Sequence, residues 1–169
     1  MKIAIVYQSL TGNTKALAEA MKEGLKGQKI VYFGEPAESV EADLYLVGSW
    51  TDKGLCQERV TQYLKSLKGK KLAYFGTAGF GGSQEYYQML FQRVKELVDG
   101  SNQILGYFYC QGKMPQSVRQ RYEAMEKERP GDPQIQASLE NFDRALSHPD
   151  AQDLEQAKEW AEKMVSLAG

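Results

Sequence analysis

Gln8-Ser9-Leu10-Thr11-Gly12-Asn13-Thr14-Lys15-Ala16 is the stretch that decides the fold of this chain. A short apolar run, Ile3-Ala4-Ile5-Val6-Tyr7, leads into it. A helical pattern follows from about Thr14 to Leu25, with Leu17, Met21, Gly24 and Leu25 on one face. A strand that ends in a hydroxyl-rich turn and opens a helix builds an anion site. Backbone N–H groups converge there, the helix dipole favours negative charge, and Ser9, Thr11 and Thr14 add hydroxyl donors. Gly12 lets the backbone turn tightly or approach a ligand closely. Neither G-x-x-x-x-G-K-[ST] nor G-x-G-x-x-G is present, so the turn suits a phosphate monoester held without metal. The plainer alternative is a helix N-cap with spare polar residues.

Outward from that turn the chain keeps alternating strand and helix. Lys29–Phe33 is a second apolar run, Asp43–Trp50 a third, Lys71–Gly76 a fourth and Gln103–Cys110 a fifth. Helical spacing fills the gaps. Val60, Leu64 and Leu67 mark a helix from about Cys56 to Leu67, and Tyr86, Leu90, Val94, Leu97 and Val98 mark one from about Gln84 to Val98. Unbroken apolar strands separated by helices predict a parallel sheet covered on both faces. Right-handed crossovers then narrow the topology to a doubly wound α/β sheet. Three more helices are expected after Cys110, at about Gln116–Glu128, Pro133–Leu146 and Ala151–Leu167. The last should cover the sheet, which makes 111–150 a helical insertion or extension of a single domain over residues 1–169.

Composition removes several classes of function. Hydrophobic residues make up 42% and charged residues 25%, with formal net charge −1, so no pull toward nucleic acid or an anionic membrane is expected. No run approaches the roughly 18 apolar residues of a membrane span, and the first residues read as a strand rather than a signal peptide. Cys56 and Cys110 have no C-x-x-C or cysteine–histidine spacing suited to zinc. A reduced, cytoplasmic protein without a metal is the expectation. His148 falls in a turn with no evident partner, and no acid–base constellation stands out, so no catalytic residue is assigned.

Ligands of open parallel sheets bind beyond the C-terminal ends of the strands, where the strand order reverses. The first, third and fourth strands each run into a loop of unusual composition: Ser9–Thr14, then Ser49-Trp50-Thr51-Asp52-Lys53-Gly54, then Thr77-Ala78-Gly79-Phe80-Gly81-Gly82. A sheet in the order 2-1-3-4-5 brings all three to one rim. Trp50 offers a stacking face for a planar heteroaromatic, or else closes the core at a strand end. The Lys53–Gly54 peptide could change conformation at little steric cost. The third loop lets backbone N–H groups approach ring carbonyls; its alternative is a flexible surface turn.

With those residues in view, the chain resembles a flavodoxin. Ser9-Leu10-Thr11-Gly12-Asn13-Thr14 matches the family's [ST]-x-T-G-x-T phosphate loop at every defined position, and the likeness covers about 1–110 and the last helix. The resemblance implies a flavodoxin-like doubly wound five-stranded parallel sheet (order 2-1-3-4-5) with extra C-terminal helices. It also implies non-covalent FMN, a placement borrowed from the family. The phosphate would sit on Ser9, Leu10, Thr11, Gly12, Asn13 and Thr14. The isoalloxazine would lie between Ser49, Trp50, Thr51, Asp52, Lys53 and Gly54 on one side and Thr77, Ala78, Gly79, Phe80, Gly81 and Gly82 on the other.

The chain also departs from the family. Phe80 stands in a loop that usually carries a stacking tyrosine and acidic neighbours, Asp52-Lys53-Gly54 replaces the usual Gly-Asp pair, and 111–150 is additional. Trp-Thr-Asp-Lys-Gly at 50–54, Phe-Gly-Thr-Ala-Gly-Phe-Gly-Gly at 75–82 and Asn-Phe-Asp-Arg-Ala-Leu-Ser-His-Pro at 141–149 resemble a distinct flavodoxin-like branch. Some of its members occur beside bilirubin reductases of gut bacteria.

Family members carry electrons between a reductase and a client redox enzyme, which is the function the resemblance implies. The alternatives are an FMN-dependent NAD(P)H or quinone reductase, and an FMN-binding accessory subunit of a larger reductase system. Lys53 is expected to favour negative charge on the flavin, or to be a plain solvated lysine. Gln111–Pro130 holds Lys113, Arg119, Arg121, Lys127 and Arg129 against Glu123, Glu126 and Glu128. It starts on the flavin side of the sheet, where a basic helix would steer acidic partners; the alternative is an ordinary solvated helix.

Overall fold

The computed structural model describes residues 1–169. Its strands are β1 (Lys2–Gln8), β2 (Lys29–Gly34), β3 (Leu44–Asp52), β4 (Leu55–Cys56), β5 (Lys71–Ala78) and β6 (Gln103–Gln111). Its helices are α1 (Asn13–Gly24), α2 (Glu58–Ser66), α3 (Gln84–Lys95), α4 (Gln116–Glu128), α5 (Pro133–Ala145) and α6 (Ala151–Ala168). The five long strands pair in parallel in the order β2-β1-β3-β5-β6, the doubly wound arrangement the sequence predicts. The strand not foreseen is β4, a two-residue antiparallel ribbon folded back on the end of β3.

Two helix boundaries differ from the expectation, the first because of this ribbon. Cys56, read as a helix start, pairs with Thr51 across β4, and α2 begins at Glu58 after Gln57 caps it by accepting from the Arg59 N–H at 2.7 Å. α3 ends at Lys95 rather than Val98, with Leu97 and Val98 still packed against the core.

The central strands β1, β3 and β5 are buried almost end to end, which is why they read as continuous apolar runs. Alternation along them divides the interior. Ile3, Ile5, Leu44, Leu46, Ala73 and Phe75 face α1 and α6, while Ala4, Val6, Tyr45, Val47, Leu72 and Tyr74 face α2 and α3. As expected, α6 covers the sheet, setting Ala157, Ala161 and Met164 into the core beside Leu17 and Met21 of α1. Its start is fixed by a capping box in which Asp150 and Asp153 each accept from the other's backbone N–H; His148 Nδ1 lies 2.6 Å from Asp153.

Helices α4 and α5 form a hairpin with a small core of its own: Tyr122, Ile135, Leu139 and Phe142, joined by Met114, Val118 and Met125. Arg119 staples the pair, bonding Glu123 on its own helix at 3.0 Å and Asp143 on α5, with its guanidinium over the Phe142 ring. Arg119 is therefore a structural cation rather than a free docking charge.

Candidate functional site

Strand order reverses between β1 and β3, so the loops that follow β1, β3 and β5 meet at one edge of the sheet. A cavity of about 460 Å³ opens there. Leu10, Thr11, Asn13, Trp50, Thr51, Asp52, Lys53, Gly54, Thr77, Ala78, Gly79 and Phe80 line it, drawn from all three loops. Ser9, Gly12, Thr14, Ser49, Gly81 and Gly82 do not.

The first loop is built around the bare start of α1. Gly12 takes the N-cap position at φ 91°, a left-handed conformation that favours glycine, and no side chain caps the helix. Lys15 N–H finds Ser9 Oγ at 3.2 Å, but the N–H groups of Thr11, Gly12, Asn13 and Thr14 meet no acceptor within the chain. A helix leaves its first N–H groups unpaired and its N-terminus positive, and both properties suit an anion. Asn13 is 7% exposed, and its Oδ1 is buried without a donor, an arrangement that fits hydroxyls carried next to a phosphate.

The segment leaving β6 straps this turn. Lys113 O accepts from Asn13 Nδ2 at 2.8 Å and from Thr11 Oγ1 at 3.3 Å. Gly112 lies so close that a Cβ there would come 2.5 Å from Asn13 Nδ2. Thr14 also joins two loops. Fully buried, it sets its Oγ1 3.1 Å from Thr77 Oγ1 and ties the first loop to the third. Gly12 opens instead onto a shallower neighbouring pocket shared with Lys113 and His148.

The second loop is a β-hairpin. Asp52 pairs with Leu55, leaving Lys53 (φ 52°) and Gly54 (φ 79°) as a two-residue turn with both φ values positive, as a type I′ turn requires. Arg93 Nη1 donates to Gly54 O at 3.2 Å and holds the turn from α3. Trp50 is half-buried and pairs with no aromatic ring of the chain, whereas Trp160 packs against Phe75 and Phe108 in the core. Ser49 forms a buried corner, donating to Trp50 O at 2.7 Å and accepting from Gln57 N–H at 2.9 Å.

The third loop is fixed from outside itself. Gly79 O accepts from both Gln111 Nε2 and Asn141 Nδ2, each at 3.0 Å, and Gln111 Nε2 also reaches Asn141 Oδ1 at 3.1 Å. Asn141 belongs to α5, so the hairpin and the glycine-rich loop share one buried polar knot. Thr51 Oγ1 donates to Thr77 O at 2.8 Å and joins the second loop to the third. Gly82 N–H donates to the Tyr87 hydroxyl at 3.3 Å, and neither residue lines the cavity.

The far wall comes from the segment expected on this side of the sheet, but which of its side chains line the cavity was not legible in the sequence. Gly112, Lys113, Met114, Pro115, Val118, Arg121 and Tyr122 form it, with Tyr86 from α3. Met114, Val118 and Tyr122 are spaced as in any amphipathic helix, so their pattern says that they are buried but not against what. Among the charged lining residues, Asp52 stands against Lys53, Lys113 and Arg121. Both cysteines lie in the core away from this lining, and burial pushes both thiols up from their usual range.

Fold and site together define a doubly wound α/β protein with an uncapped helix start beside a cavity at the sheet's switch point. The Flavodoxin domain family matches residues 4–162, and the chain belongs to that family. FMN is the cofactor that this membership gives it. The chain is 38% identical to the flavodoxin-like domain-containing protein BilS of Clostridium symbiosum, covering 100% of this chain and 98% of that one. It is 33% identical to the BilS of Clostridioides difficile over 99% and 98%. Among solved structures, oxidised Flavodoxin 2 from Bacillus cereus shares the fold at TM-score 0.60 and 18% identity, over 99% of both chains. No helix of the chain is long and apolar enough to cross a membrane.

Proposed function

We propose that the protein is a cytoplasmic electron carrier that holds FMN non-covalently and shuttles electrons between a reductase and a client redox enzyme. In this reading residues 1–169 are one flavodoxin-like unit with the α4–α5 hairpin as its extension. The observation that carries it is the convergence of three loops on one cavity of about 460 Å³, whose lining contains no histidine, cysteine or pair of carboxylates. That size suits a single flavin ring system, near the lower end of the usual 300–1,000 Å³ for such ligands.

The unpaired N–H groups of Thr11–Thr14 would hold the phosphate, with Ser9 and Gly12 shaping the turn. Trp50 would supply a stacking face, Lys53 and Gly54 would border the ring, and Thr77–Phe80 would offer it backbone N–H groups; Gly81, Gly82 and Ser49 hold these loops in shape. Bound FMN supplies reversible uptake and release of electrons; the chain's own residues bind and orient it and control who approaches. The resemblance at 50–54, 75–82 and 141–149 to a flavodoxin-like branch found beside bilirubin reductases makes a client of that kind the first to test.

A second reading, an accessory subunit of a larger reductase, draws on the hairpin's separate small core beside the cavity. Stopped-flow mixing of the FMN-loaded protein with NADH and NADPH tests the proposal against a stand-alone reductase. A carrier leaves the flavin oxidised on the timescale of turnover, and rapid bleaching by either nucleotide overturns the proposal.

A further inference from the structure

The mouth of the cavity carries a concentration of unpaired positive charge. Lys53, Lys113 and Arg121 line it, and Arg93 adjoins it through its bond to Gly54 O. None of these four cations has a carboxylate oxygen within 4.0 Å, whereas Arg59, Lys68, Lys70, Arg119 and Arg129 each have one. Asp52 is the one carboxylate of the lining. The chain as a whole carries −1, so the mouth is positive while the remainder is negative. In the middle of these charges two apolar side chains stand out to solvent: Leu10 is 57% and Phe80 48% exposed. An apolar centre inside a charged rim is the composition of a protein–protein contact.

We propose that this mouth docks a redox protein whose own redox centre is ringed by carboxylates; the inference rests on the FMN-carrier reading and names the chemistry of its partner. The charges sit on rigid supports. Lys53 is in a two-residue turn clamped by Arg93, and Arg121 is on a helix stapled to α5 by Arg119. With the backbone beneath them held, these cations give up only side-chain freedom on docking. A positive mouth on a negative body turns the molecule toward an acidic partner during diffusional encounter and suppresses approach of a basic one. Phe80 and Leu10 then close the contact over the ring edge.

The test uses FMN-loaded protein, reduced with dithionite and mixed with two small cytochromes, one with an acidic and one with a basic surface around its haem edge. One electron passes from the reduced flavin to each ferric haem, which becomes ferrous, and the proton the flavin gives up goes to solvent. Each rate is divided by the rate with a neutral quinone on the same preparation, which cancels any change in flavin potential. At about 10 mM ionic strength the acidic cytochrome should react about tenfold faster than the basic one. That advantage should vanish by about 150 mM, where the screening length has shrunk from about 30 Å to about 8 Å.

Charge reversal with Lys53→Glu and Arg121→Glu should invert the preference; should that double variant fail to fold, Lys113→Gln should reduce it. A wild-type protein that prefers the basic cytochrome, or neither, overturns the proposal without any variant. Loss of the FMN reading would appear earlier and separately, as failure to retain flavin absorbance after desalting.

Discussion

Trp50 stands where β3 stops being core. The residue before it, Ser49, is fully buried and bonded on both sides, while Trp50 is half-buried and lines the cavity. The sequence left two readings open for this residue, because which side of a strand end faces a ligand depends on a register that composition does not reveal. The other tryptophan is legible without that knowledge, since Trp160 lies on the inward stripe of α6. FMN should therefore quench tryptophan emission strongly in the wild type, and Trp50→Phe should remove most of that quenching. Retention of full quenching in the variant would move the stacking role elsewhere. Cys56 and Cys110 give a second expectation at this scale: each is 5% exposed, and burial raises both thiols. A thiol reagent at pH 8 should label them only at the rate of unfolding. Immediate labelling of the folded protein would contradict the packing described.

At the scale of elements, the strand–turn–helix at 2–24 was legible because its signals are local: apolar run, hydroxyl turn, glycine, helical spacing. β4 was not, since two residues carry no period. The strap from β6 and the particular α4 side chains that line the cavity were not legible either, because contacts between residues about a hundred positions apart leave no trace in spacing. Thr14 shows the limit within the motif itself. It matches the phosphate loop and yet bonds to Thr77, so replacing it would disturb the joint between two loops as well as the anion site. Gly112→Val is the cleaner probe, since its new side chain pushes directly into the Asn13 amide. FMN binding should weaken at least tenfold, with riboflavin binding much less affected, as titrations of both ligands would read. Asn141→Leu should act on the third loop by leaving Gly79 O with one donor and Gln111 short of a partner. A cost of about 1–3 kcal/mol in urea unfolding is expected for such buried polar loss. A loss below that range would mean that water serves the knot equally well.

For the whole molecule, charge and topology set the behaviour. The sheet order was readable from the sequence because continuous apolar strands, helical crossovers and a fixed crossover hand leave few alternatives. The polarity of the surface was not, since Arg119 and Arg121 look alike in sequence but one is tied into the hairpin and the other faces the cavity. Stability should depend on pH at both extremes. Hydrogen bonds from Ser101 and the neighbouring Lys68 hold Asp99 down to about 2, and the Asp153 backbone N–H lowers Asp150. Groups depressed in the folded state stabilise it above the ordinary carboxylate range and lose that effect as pH falls toward the depressed values. Burial pushes Tyr87 up to about 12 and raises Tyr74 and Tyr109 as well. The unfolded chain would ionise these phenols near pH 10, so stability should be lost as pH rises beyond that point. Melting temperatures should thus be flat through neutrality and fall on both sides. Phenolate absorbance of the buried tyrosines should appear only together with unfolding.

The central claim, that the bare start of α1 holds the phosphate of FMN while the loops above it hold the ring, is tested most directly by titrating the apoprotein with FMN and with riboflavin under identical conditions. The two ligands differ only in the phosphate. Several charge-assisted hydrogen bonds from Thr11–Thr14, each contributing about 1.5–3 kcal/mol, predict one FMN per chain bound at least a hundredfold more tightly than riboflavin. Equal affinities for the two, or no saturable FMN binding, would contradict it.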